Sequence, residues 1–226
     1  MINIALDGPA GAGKSWLAHT LAEKLGFIHV DTGALYRSIG LYMSRCGIAP
    51  ENKTAFVHAL DGLTVELGFE GGEQRVYLCG EDVTGLIRTP EISMYASAVS
   101  SVPEVRAFLL ETQRRLAREN NVIMDGRDIG TVILPDASVK IFVTASDEVR
   151  AKRRMLELRG KGIVQSFEDV LADMRRRDEL DRTRDVAPAV AADDAVILDN
   201  SNLDREGTLA EALRIIREAT GAEPVR

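Results

Sequence analysis

Short apolar runs alternate with stretches of helical periodicity along most of this chain. Five of the runs indicate buried strands, at residues 2–6, 27–30, 122–124, 139–143 and 195–198. Apolar residues at helical spacing lie between and after them, beginning near residues 14, 32, 91, 103, 147, 167 and 209. Because parallel strands are joined by right-handed crossovers, this order predicts a five-stranded parallel sheet with helices on both faces, a three-layer α/β/α sandwich.

One segment departs from that pattern. Between about Leu63 and Arg88, apolar and polar residues alternate on both sides of the Gly71-Gly72 break. Alternation around a glycine pair is typical of a β-hairpin. We therefore predict an antiparallel insertion inside an otherwise α/β chain.

Residues 8–15 read GPAGAGKS, the pattern of a phosphate-binding loop (P-loop). Its glycines let backbone N–H groups converge on phosphate oxygens at the positive end of the following helix. Lys14 is expected to reach the outer phosphates, and the Ser15 hydroxyl to coordinate Mg²⁺. The predicted strand before the loop and helix after it are the context that this motif requires. We expect nucleotide contacts from Gly8, Pro9, Ala10, Gly11, Ala12, Gly13, Lys14, Ser15 and Trp16.

The loop alone fits two classes of protein: a switch or motor that uses the triphosphate for conformational work, and a small kinase that transfers its outer phosphoryl group. Arginines later in the chain favour the kinase, since guanidinium groups stabilise charge on a transferred phosphoryl group. The basic helix near residues 147–159 carries Arg153 and Arg154 and ends at the Gly160-Lys161-Gly162 break, as a mobile cover would. Asp125 ends an apolar strand, where its carboxylate can hold a magnesium-bound water.

Composition limits the kinds of partner and the cellular compartment that we expect for this protein. The chain has 226 residues, of which 45% are hydrophobic, 28% charged and 5% aromatic, and its formal net charge is -7. These values are those of a soluble globular protein, and they disfavour a nucleic-acid polymer or a membrane as partner. No apolar stretch approaches ~18 residues and the amino terminus has no secretory pattern, so we expect a cytoplasmic protein. Cys46 and Cys79 spell no zinc motif and are expected to be reduced.

Five stretches closely resemble one family, the bacterial cytidylate kinases, which phosphorylate CMP and dCMP from ATP. The first of them would fit many kinases, whereas DGRDIGT, RDELDRTR and the hairpin insertion point to this family. The resemblance covers almost the whole chain. The stretches are IALDGPAGAGKS at 4–15, VDTGALYR at 30–37, LCGEDVTGLIRTPEI at 78–92, MDGRDIGTVILPDASVKIFVTAS at 124–146 and RRDELDRTRDVAP at 176–188.

The resemblance implies a division of the chain and a set of roles. It implies a P-loop kinase core at residues 1–34, 107–149 and 167–226, a monophosphate-binding domain at 35–106 and a lid at 150–166. It also implies a monomer that takes ATP with Mg²⁺ as donor and CMP or dCMP as acceptor. In the transfer itself we expect Lys14, Arg127, Arg153 and Arg154 to act. Carried over by position, the pyrimidine-reading set is Thr32, Arg106, Asp128 and Arg184, the sugar-contacting set is Ser97, Arg177 and Asp181, and the phosphate-binding arginines are Arg37 and Arg127.

Two positions depart from the family pattern. Thr32 stands where serine is also common, and it keeps the hydroxyl. Trp16 stands where a small threonine usually contacts the inner phosphate, a role that an indole cannot take in the same way. We expect Trp16 near enough to the donor phosphates to report nucleotide binding by fluorescence. A kinase for another nucleotide or metabolite, and a triphosphate-binding switch, stay open as alternatives.

Overall fold

The computed structural model describes residues 1–160 and 162–225. They fall into two compact units. The first comprises Met1 with Ile28–Val122, and the second comprises Ile2–Phe27 with Ile123–Arg226. The resemblance implies a different division, into core, monophosphate-binding domain and lid, with boundaries at 34/35, 106/107, 149/150 and 166/167. That division stays a prediction.

Both kinds of predicted sheet are present. The five-stranded parallel sheet has the order β2-β6-β1-β7-β8, and a separate antiparallel sheet has the order β3-β4-β5. This confirms the α/β fold with an antiparallel insertion. The strands are β1 (Asn3–Asp7), β2 (Ile28–Asp31), β3 (Val65–Glu70), β4 (Glu73–Leu78), β5 (Glu81–Asp82), β6 (Val122–Asp125), β7 (Val139–Thr144) and β8 (Val196–Asp199).

Helices connect these strands, and most lie where the periodicity predicts them. One short π-helical turn, Ile129–Ile133, follows β6. The α-helices are α1 (Lys14–Leu25), α2 (Thr32–Arg45), α3 (Lys53–Ala59), α4 (Pro90–Ser100), α5 (Pro103–Glu119), α6 (Asp147–Gly160), α7 (Phe167–Thr183) and α8 (Arg205–Thr220).

The second unit is built around the parallel strands β1, β7 and β8. Ile4 lies opposite Val139, and Thr144 lies opposite Asp199. The apolar residues of β1 are fully buried, and those of β7 other than Phe142 are fully or almost fully buried. Their core includes Leu17 of α1 and Ile216 of α8. Since the strands are parallel, their carboxyl ends lie along one edge, where ligands bind in such sheets. The phosphate-binding loop leaves β1 at that edge.

The first unit holds the antiparallel sheet. Gly71 and Gly72 form the turn between β3 and β4 with φ values of 59° and 85°, a conformation that favours glycine. Leu35, Ile39 and Phe56 are fully buried in its core. The Asp31 side chain accepts a hydrogen bond of 3.1 Å from Ala34 N, which caps α2 as the sequence indicates.

Two features lie outside the sequence prediction. Helix α3 has seven residues with Phe56 as its only buried one, too few to give a periodic signal. The π-helical turn falls in an apolar run, IGTVI, that has no helical spacing. At the predicted break, α6 ends at Gly160 and Gly162 has a φ of 76°, while Lys161 lies outside the described residues.

Among residues 1–160 and 162–225, no helix has the length and apolar character needed to cross a bilayer.

Candidate active site

The phosphate-binding loop is formed by three glycines with left-handed or related backbone angles. Gly8, Gly11 and Gly13 have φ values of 140°, 73° and 88°. A Cβ on Gly8 would lie 2.0 Å from Val143 O, so a side chain there would displace β7. Gly13 lies at the N-terminus of α1, whose first-turn N–H groups point into the loop. The loop therefore has the backbone that an anion site at a helix N-terminus needs.

Lys14 lies near the end of the phosphate-binding loop, and its side chain is buried there. Its Nζ donates a hydrogen bond of 2.7 Å to Pro9 O, and the residue is 6% exposed. Burial lowers the pKa of Lys14 well below its usual value, and the Arg127 charge lowers it further, whereas Asp125 and Asp7 raise it. A polyphosphate bound at the loop would supply a strong counter-charge to this ammonium group.

Ser15 and Asp125 face each other at the carboxyl ends of the strands. Ser15 Oγ donates a hydrogen bond of 2.8 Å to Asp125 Oδ2, and Asp125 is 4% exposed. Ser15 is the last residue of the loop and Asp125 is the last residue of β6. Two separate elements therefore place oxygen ligands next to each other. This is the ligand chemistry that Mg²⁺ prefers.

The loop backbone is also held by α6 and α7. Arg150 Nη1 donates a hydrogen bond of 2.9 Å to Ala10 O, and Asp178 Oδ1 accepts one of 3.4 Å from Ala10 N. Arg150 and Asp178 form an ion pair with each other. Asn200, which follows β8, donates a hydrogen bond of 2.9 Å to Ala12 O. The loop is thus fixed by side chains from three elements.

A second group of charges follows β6. Arg127 Nε lies 3.2 Å from Asp181 Oδ2, which joins this segment to α7. Burial lowers the pKa of the neighbouring Arg177, and the Arg127 charge acts in the same direction. Two guanidinium groups kept close together favour an anion of high charge.

Asp128 is paired with the other arginine of the late cluster. Arg184 Nη2 lies 3.5 Å from Asp128 Oδ1, and the Arg184 Nε donates a hydrogen bond of 2.6 Å to Ala187 O. The Arg184 side chain is 12% exposed and the Asp128 side chain is 5% exposed. A carboxylate beside a guanidinium presents an acceptor and a donor together, which suits a planar ring with both kinds of group.

The basic helix α6 directs its two candidate arginines differently. Arg153 donates hydrogen bonds of 2.9 and 3.1 Å to Asn200 Oδ1 and O, while Arg154 donates one of 2.8 Å to Glu157 on the same helix. Burial lowers the pKa of Arg153, and the Arg205 charge adds to this. The Arg205 guanidinium also lies 5.2 Å from the centre of the Trp16 ring, a cation–π contact.

The first unit carries its own cationic cluster around Asp31. Arg37 Nη2 and Arg88 Nη2 lie 2.7 and 3.2 Å from the same carboxylate oxygen, Asp31 Oδ2. Arg37 Nε is buried and has no hydrogen-bond partner among the described residues. Two guanidinium groups on one carboxylate leave a net positive charge, so this cluster suits a phosphate group.

The remaining candidates of the first unit lie on α2, α4 and α5. Thr32 is buried at the first position of α2. The Arg106 guanidinium lies 5.5 Å from the centre of the Tyr36 ring and donates a hydrogen bond of 3.3 Å to Ser100 O. Ser97 is partly buried on α4. Tyr36 thus orients Arg106, because a guanidinium stacks on an aromatic face.

Comparison with known proteins assigns the chain to a family. The sequence model of the family described as cytidylate kinase matches residues 4–218. The chain belongs to the cytidylate kinase family. It is 48% identical over 222 residues to the cytidylate kinase of Caldicellulosiruptor saccharolyticus, covering 98% of each chain. It is also 48% identical over 221 residues to that of Geobacter sulfurreducens, covering 98% of this chain and 95% of the relative.

A solved structure agrees with the fold. An uncharacterized protein from Eubacterium ventriosum ATCC 27560 superimposes with a TM-score of 0.51 at 14% identity, over 96% of this chain and 98% of that one. At this identity the match concerns the fold alone.

Within the second unit, the cytidylate kinase fold brings several sequence candidates near one another. Lys14 is within electrostatic reach of Arg127 and Asp125, and Arg177 is within reach of Arg127, Asp181 and Arg154. The catalytic and binding roles of the candidates stay predictions. Sequence reasoning gave no role to the three side chains that hold the loop, Arg150, Asp178 and Asn200. It also gave none to Asp7 and to Arg88 of the first unit. Asp7, Arg88 and Asp178 lie inside stretches that resemble the family, and that position was their available signal.

Proposed function

We propose that this chain transfers the γ-phosphoryl group of Mg²⁺-bound ATP to the 5′-phosphate of CMP or dCMP, giving ADP and CDP or dCDP. One observation carries the proposal. The second unit contains both a phosphate-binding loop with a buried lysine and the Asp128–Arg184 pair. Membership of the cytidylate kinase family supports ATP as donor and a nucleotide as acceptor. A triphosphate-binding switch has no need for the second group of cations around Arg127 and Arg177.

The donor side rests on the loop and its lysine. The loop amides and the α1 N-terminus would bind the β- and γ-phosphates, and Lys14 would follow the phosphoryl group as it moves. Arg127 would stabilise the charge that develops on its oxygens. Because the acceptor phosphate is already an anion at neutral pH, the transfer needs positioning and charge and no dedicated general base.

Mg²⁺ fits this site because of the Ser15–Asp125 pair. Proteins usually hold Mg²⁺ through one or two side chains together with phosphates and water. Ser15 would bind the ion directly and Asp125 through a water, as the sequence predicts. When bound, the ion neutralises charge on the outer phosphates.

The acceptor side would read the base through Asp128. Cytosine carries an exocyclic amino group that donates to a carboxylate, and the adjacent ring acceptor can take a hydrogen bond from an arginine such as Arg184. Uracil presents a carbonyl at the amino position, which would face the Asp128 carboxylate without a proton between them. An unpaired buried group costs about 1–3 kcal/mol, so rejection of UMP should be substantial.

The other acceptor roles are assigned by resemblance. By resemblance, Arg37 and Arg127 would bind the 5′-phosphate. Arg88, which contacts the same Asp31 oxygen as Arg37, would join them, and the phosphate would replace Asp31 as the anionic partner of Arg37 and Arg88. Arg106 and Thr32 would assist in base binding, and the sugar contacts would come from Ser97, Arg177 and Asp181. We place Trp16 beside the donor phosphates.

The lid at residues 150–166 would close over the transfer zone and bring Arg153 and Arg154 to it. Closure excludes water, which would otherwise accept the phosphoryl group. Arg153 would exchange its hydrogen bonds with Asn200 for the donor phosphates. We further propose that the enzyme acts as a monomer in the cytoplasm, without a nucleic-acid or membrane partner.

The test is a coupled assay of ADP release with Mg²⁺ and ATP and a panel of acceptors: CMP, dCMP, UMP, AMP and none. Turnover confined to CMP and dCMP is the expected result. Hydrolysis of ATP that does not depend on the acceptor overturns the proposal in favour of a switch. Turnover of AMP or UMP at the level of CMP overturns the proposed acceptor.

A further inference from the structure

Asp7 is a buried carboxylate at the end of β1, immediately before the first glycine of the loop. The residue is 5% exposed. One of its oxygens accepts a hydrogen bond of 2.8 Å from Ile129 N, and the other accepts one of 2.7 Å from Gly130 N. Both oxygens are therefore committed to two consecutive backbone N–H groups. The proposed phosphoryl transfer gives this carboxylate no role.

The segment that Asp7 holds carries Asp128. Asp128 directly precedes the π-helical turn Ile129–Ile133, and its carbonyl accepts hydrogen bonds of 3.0 and 3.2 Å from Val132 N and Ile133 N. The turn thus fixes the Asp128 backbone from one side, and Asp7 fixes the first two residues of the turn. π-Helical turns are uncommon and are frequent at functional sites.

A second contact from β1 fixes the other end of the same segment. Gly126 N donates a hydrogen bond of 3.0 Å to Leu6 O. Leu6 and Asp7 therefore hold the segment on both sides of Arg127 and Asp128, while the next residue of the chain, Gly8, opens the phosphate-binding loop. One strand end sets the position of both features.

A carboxylate is the group that this arrangement requires. An ionised carboxylate only accepts hydrogen bonds, and its two oxygens match two donors that lie side by side. An asparagine in its place would accept one hydrogen bond and turn an amino group toward the other N–H. That N–H would lose its partner in a buried place, and the turn would shift to relieve the contact.

We propose that Asp7 is a positioning residue for base selection: through Ile129 and Gly130 it orients Asp128, and so sets the discrimination between cytosine and uracil. The inference rests on the proposed function, in which Asp128 reads the base. Hydrogen-bonding groups in a binding site must be held within about 0.5 Å of their productive position, and a supporting group is what holds them. Asp7 acts through Asp128 and touches neither substrate.

The test compares kcat/KM for CMP and for UMP in the wild type and in Asp7→Asn, both at saturating ATP. The ratio of the two values cancels any effect on donor binding, because the donor is the same. We expect the CMP-to-UMP ratio to fall about tenfold or more in the variant, the effect of one misplaced hydrogen bond. A ratio within about twofold of the wild type, in a variant that unfolds cooperatively, overturns the inference.

A matched control separates positioning from stability. Thr208 is buried in the same unit, and its Oγ1 donates a hydrogen bond of 2.7 Å to Asp204 O at the start of α8. Thr208→Val also removes one buried hydrogen bond and should lower the unfolding midpoint with no change in the CMP-to-UMP ratio. A fall in the ratio equal to that of Asp7→Asn would mean that general loosening is the cause, and would overturn the inference.

A second variant leaves Asp7 in place. A Cβ on Gly130 would lie 3.1 Å from Lys140 Cδ and 3.4 Å from Asp7 Oδ2, so Gly130→Ala should push the turn away from Asp7. We expect a smaller fall in the CMP-to-UMP ratio. If Asp7→Asn does not fold, Gly130→Ala tests the positioning role of Asp7 in its place. An unchanged ratio there counts against the inference. A wild type that turns over CMP and UMP equally, or neither, overturns the proposed function and the inference with it.

Discussion

Arg150 and Asp178 form an ion pair between α6 and α7, and both side chains also hold the backbone of Ala10 in the phosphate-binding loop. The Arg150 side chain is 5% exposed, so the pair lies out of the reach of most screening. Helix α6 runs into the predicted lid and α7 begins just after it. The loop backbone is therefore coupled to the two helices that would carry lid movement.

We expect Asp178→Ala to weaken ATP binding as well as stability. The change removes the acceptor of Ala10 N–H and leaves Arg150 with Asp147, 2.6 Å away, as a carboxylate partner. Loss of these buried contacts should lower the free energy of unfolding by about 1–3 kcal/mol. The displaced loop should raise KM for ATP about tenfold. Urea unfolding and steady-state kinetics at varied ATP measure the two effects.

The control for this variant is Asp173→Ala on the same helix. Asp173 pairs with Arg176 at 3.6 Å, and both side chains are more than half exposed. Exposed pairs contribute little, so stability and KM should stay within about 0.5 kcal/mol and twofold of the wild type. If Asp178→Ala matched this control, the Ala10 contacts would have no part in shaping the loop.

The loop itself was predictable because its chemistry is local. A strand, three glycines, Lys14 and Ser15 lie within fifteen residues, and each position needs a specific residue type for a stated reason. The five parallel strands were predictable too, since buried strands such as residues 139–143 are continuous apolar runs. The π-helical turn was not, because its first two N–H groups are held by Asp7, which lies on a strand distant in sequence.

The polar contacts at the site that join residues distant in sequence could not be predicted. Asp178, Arg150 and Asn200 converge on the loop from α7, α6 and the end of β8. In sequence each is an ordinary polar residue on a helix or after a strand, with no periodicity to mark it. Their contacts with the loop identify them, and these contacts depend on the packing of the whole unit.

Removal of the Lys14 ammonium group should nearly abolish turnover. Lys14→Ala takes away the cation expected to follow the phosphoryl group, and one such group contributes about 10²–10³ in kcat in comparable sites. The fold should survive, because alanine suits a helix N-terminal turn. The buried carboxylates near Lys14 also keep other hydrogen-bond donors, two backbone N–H groups for Asp7 and the Ser15 hydroxyl for Asp125. Lys24→Ala, at the exposed end of the same helix, should retain full activity. Near-normal turnover in Lys14→Ala would contradict the assigned loop.

Ser15→Ala should change the dependence of the rate on Mg²⁺. The variant loses the hydroxyl that lies 2.8 Å from Asp125 Oδ2 and that would bind the ion. Loss of one ligand should raise the Mg²⁺ concentration for half-maximal turnover about tenfold, with part of the rate restored at high Mg²⁺. The measurement is ADP release titrated with Mg²⁺ at fixed ATP. An unchanged titration would place the metal ligands elsewhere.

Asp128→Asn should relax base selection. The amide can turn an N–H toward the uracil carbonyl, so UMP gains a partner while CMP loses the charged acceptor for its amino group. We expect kcat/KM to fall for CMP by about 10²-fold and to rise for UMP, with KM for ATP close to the wild-type value. Asp136→Asn, an exposed aspartate in the same stretch of chain, should leave all three values unchanged. Equal losses for CMP and ATP would indicate a structural role for Asp128.

The stability difference between Asp7→Asn and the wild type should depend on pH. The pKa of Asp7 is raised from 3.8 to about 6. Burial is the main cause and the Asp128 charge adds to it, whereas the Ile129 and Gly130 N–H groups act in the opposite direction. Since the folded protein holds this proton more tightly than the unfolded chain, the protonated carboxyl stabilises the fold below pH 3.8. That contribution is lost as the pH rises through about 6.

Asparagine does not titrate, so the variant lacks this pH-dependent loss. The difference in unfolding free energy, variant minus wild type, should therefore shift in favour of Asp7→Asn between pH 4 and pH 7, by at most about 3 kcal/mol. Its one lost hydrogen bond adds a constant penalty that shifts the whole curve without changing its slope. Urea unfolding of both proteins at pH 4, 5, 6 and 7 gives this difference, in which the other titrating groups cancel. A flat difference would mean that Asp7 stays ionised throughout, held by its two N–H donors and Lys14 against the cost of burial.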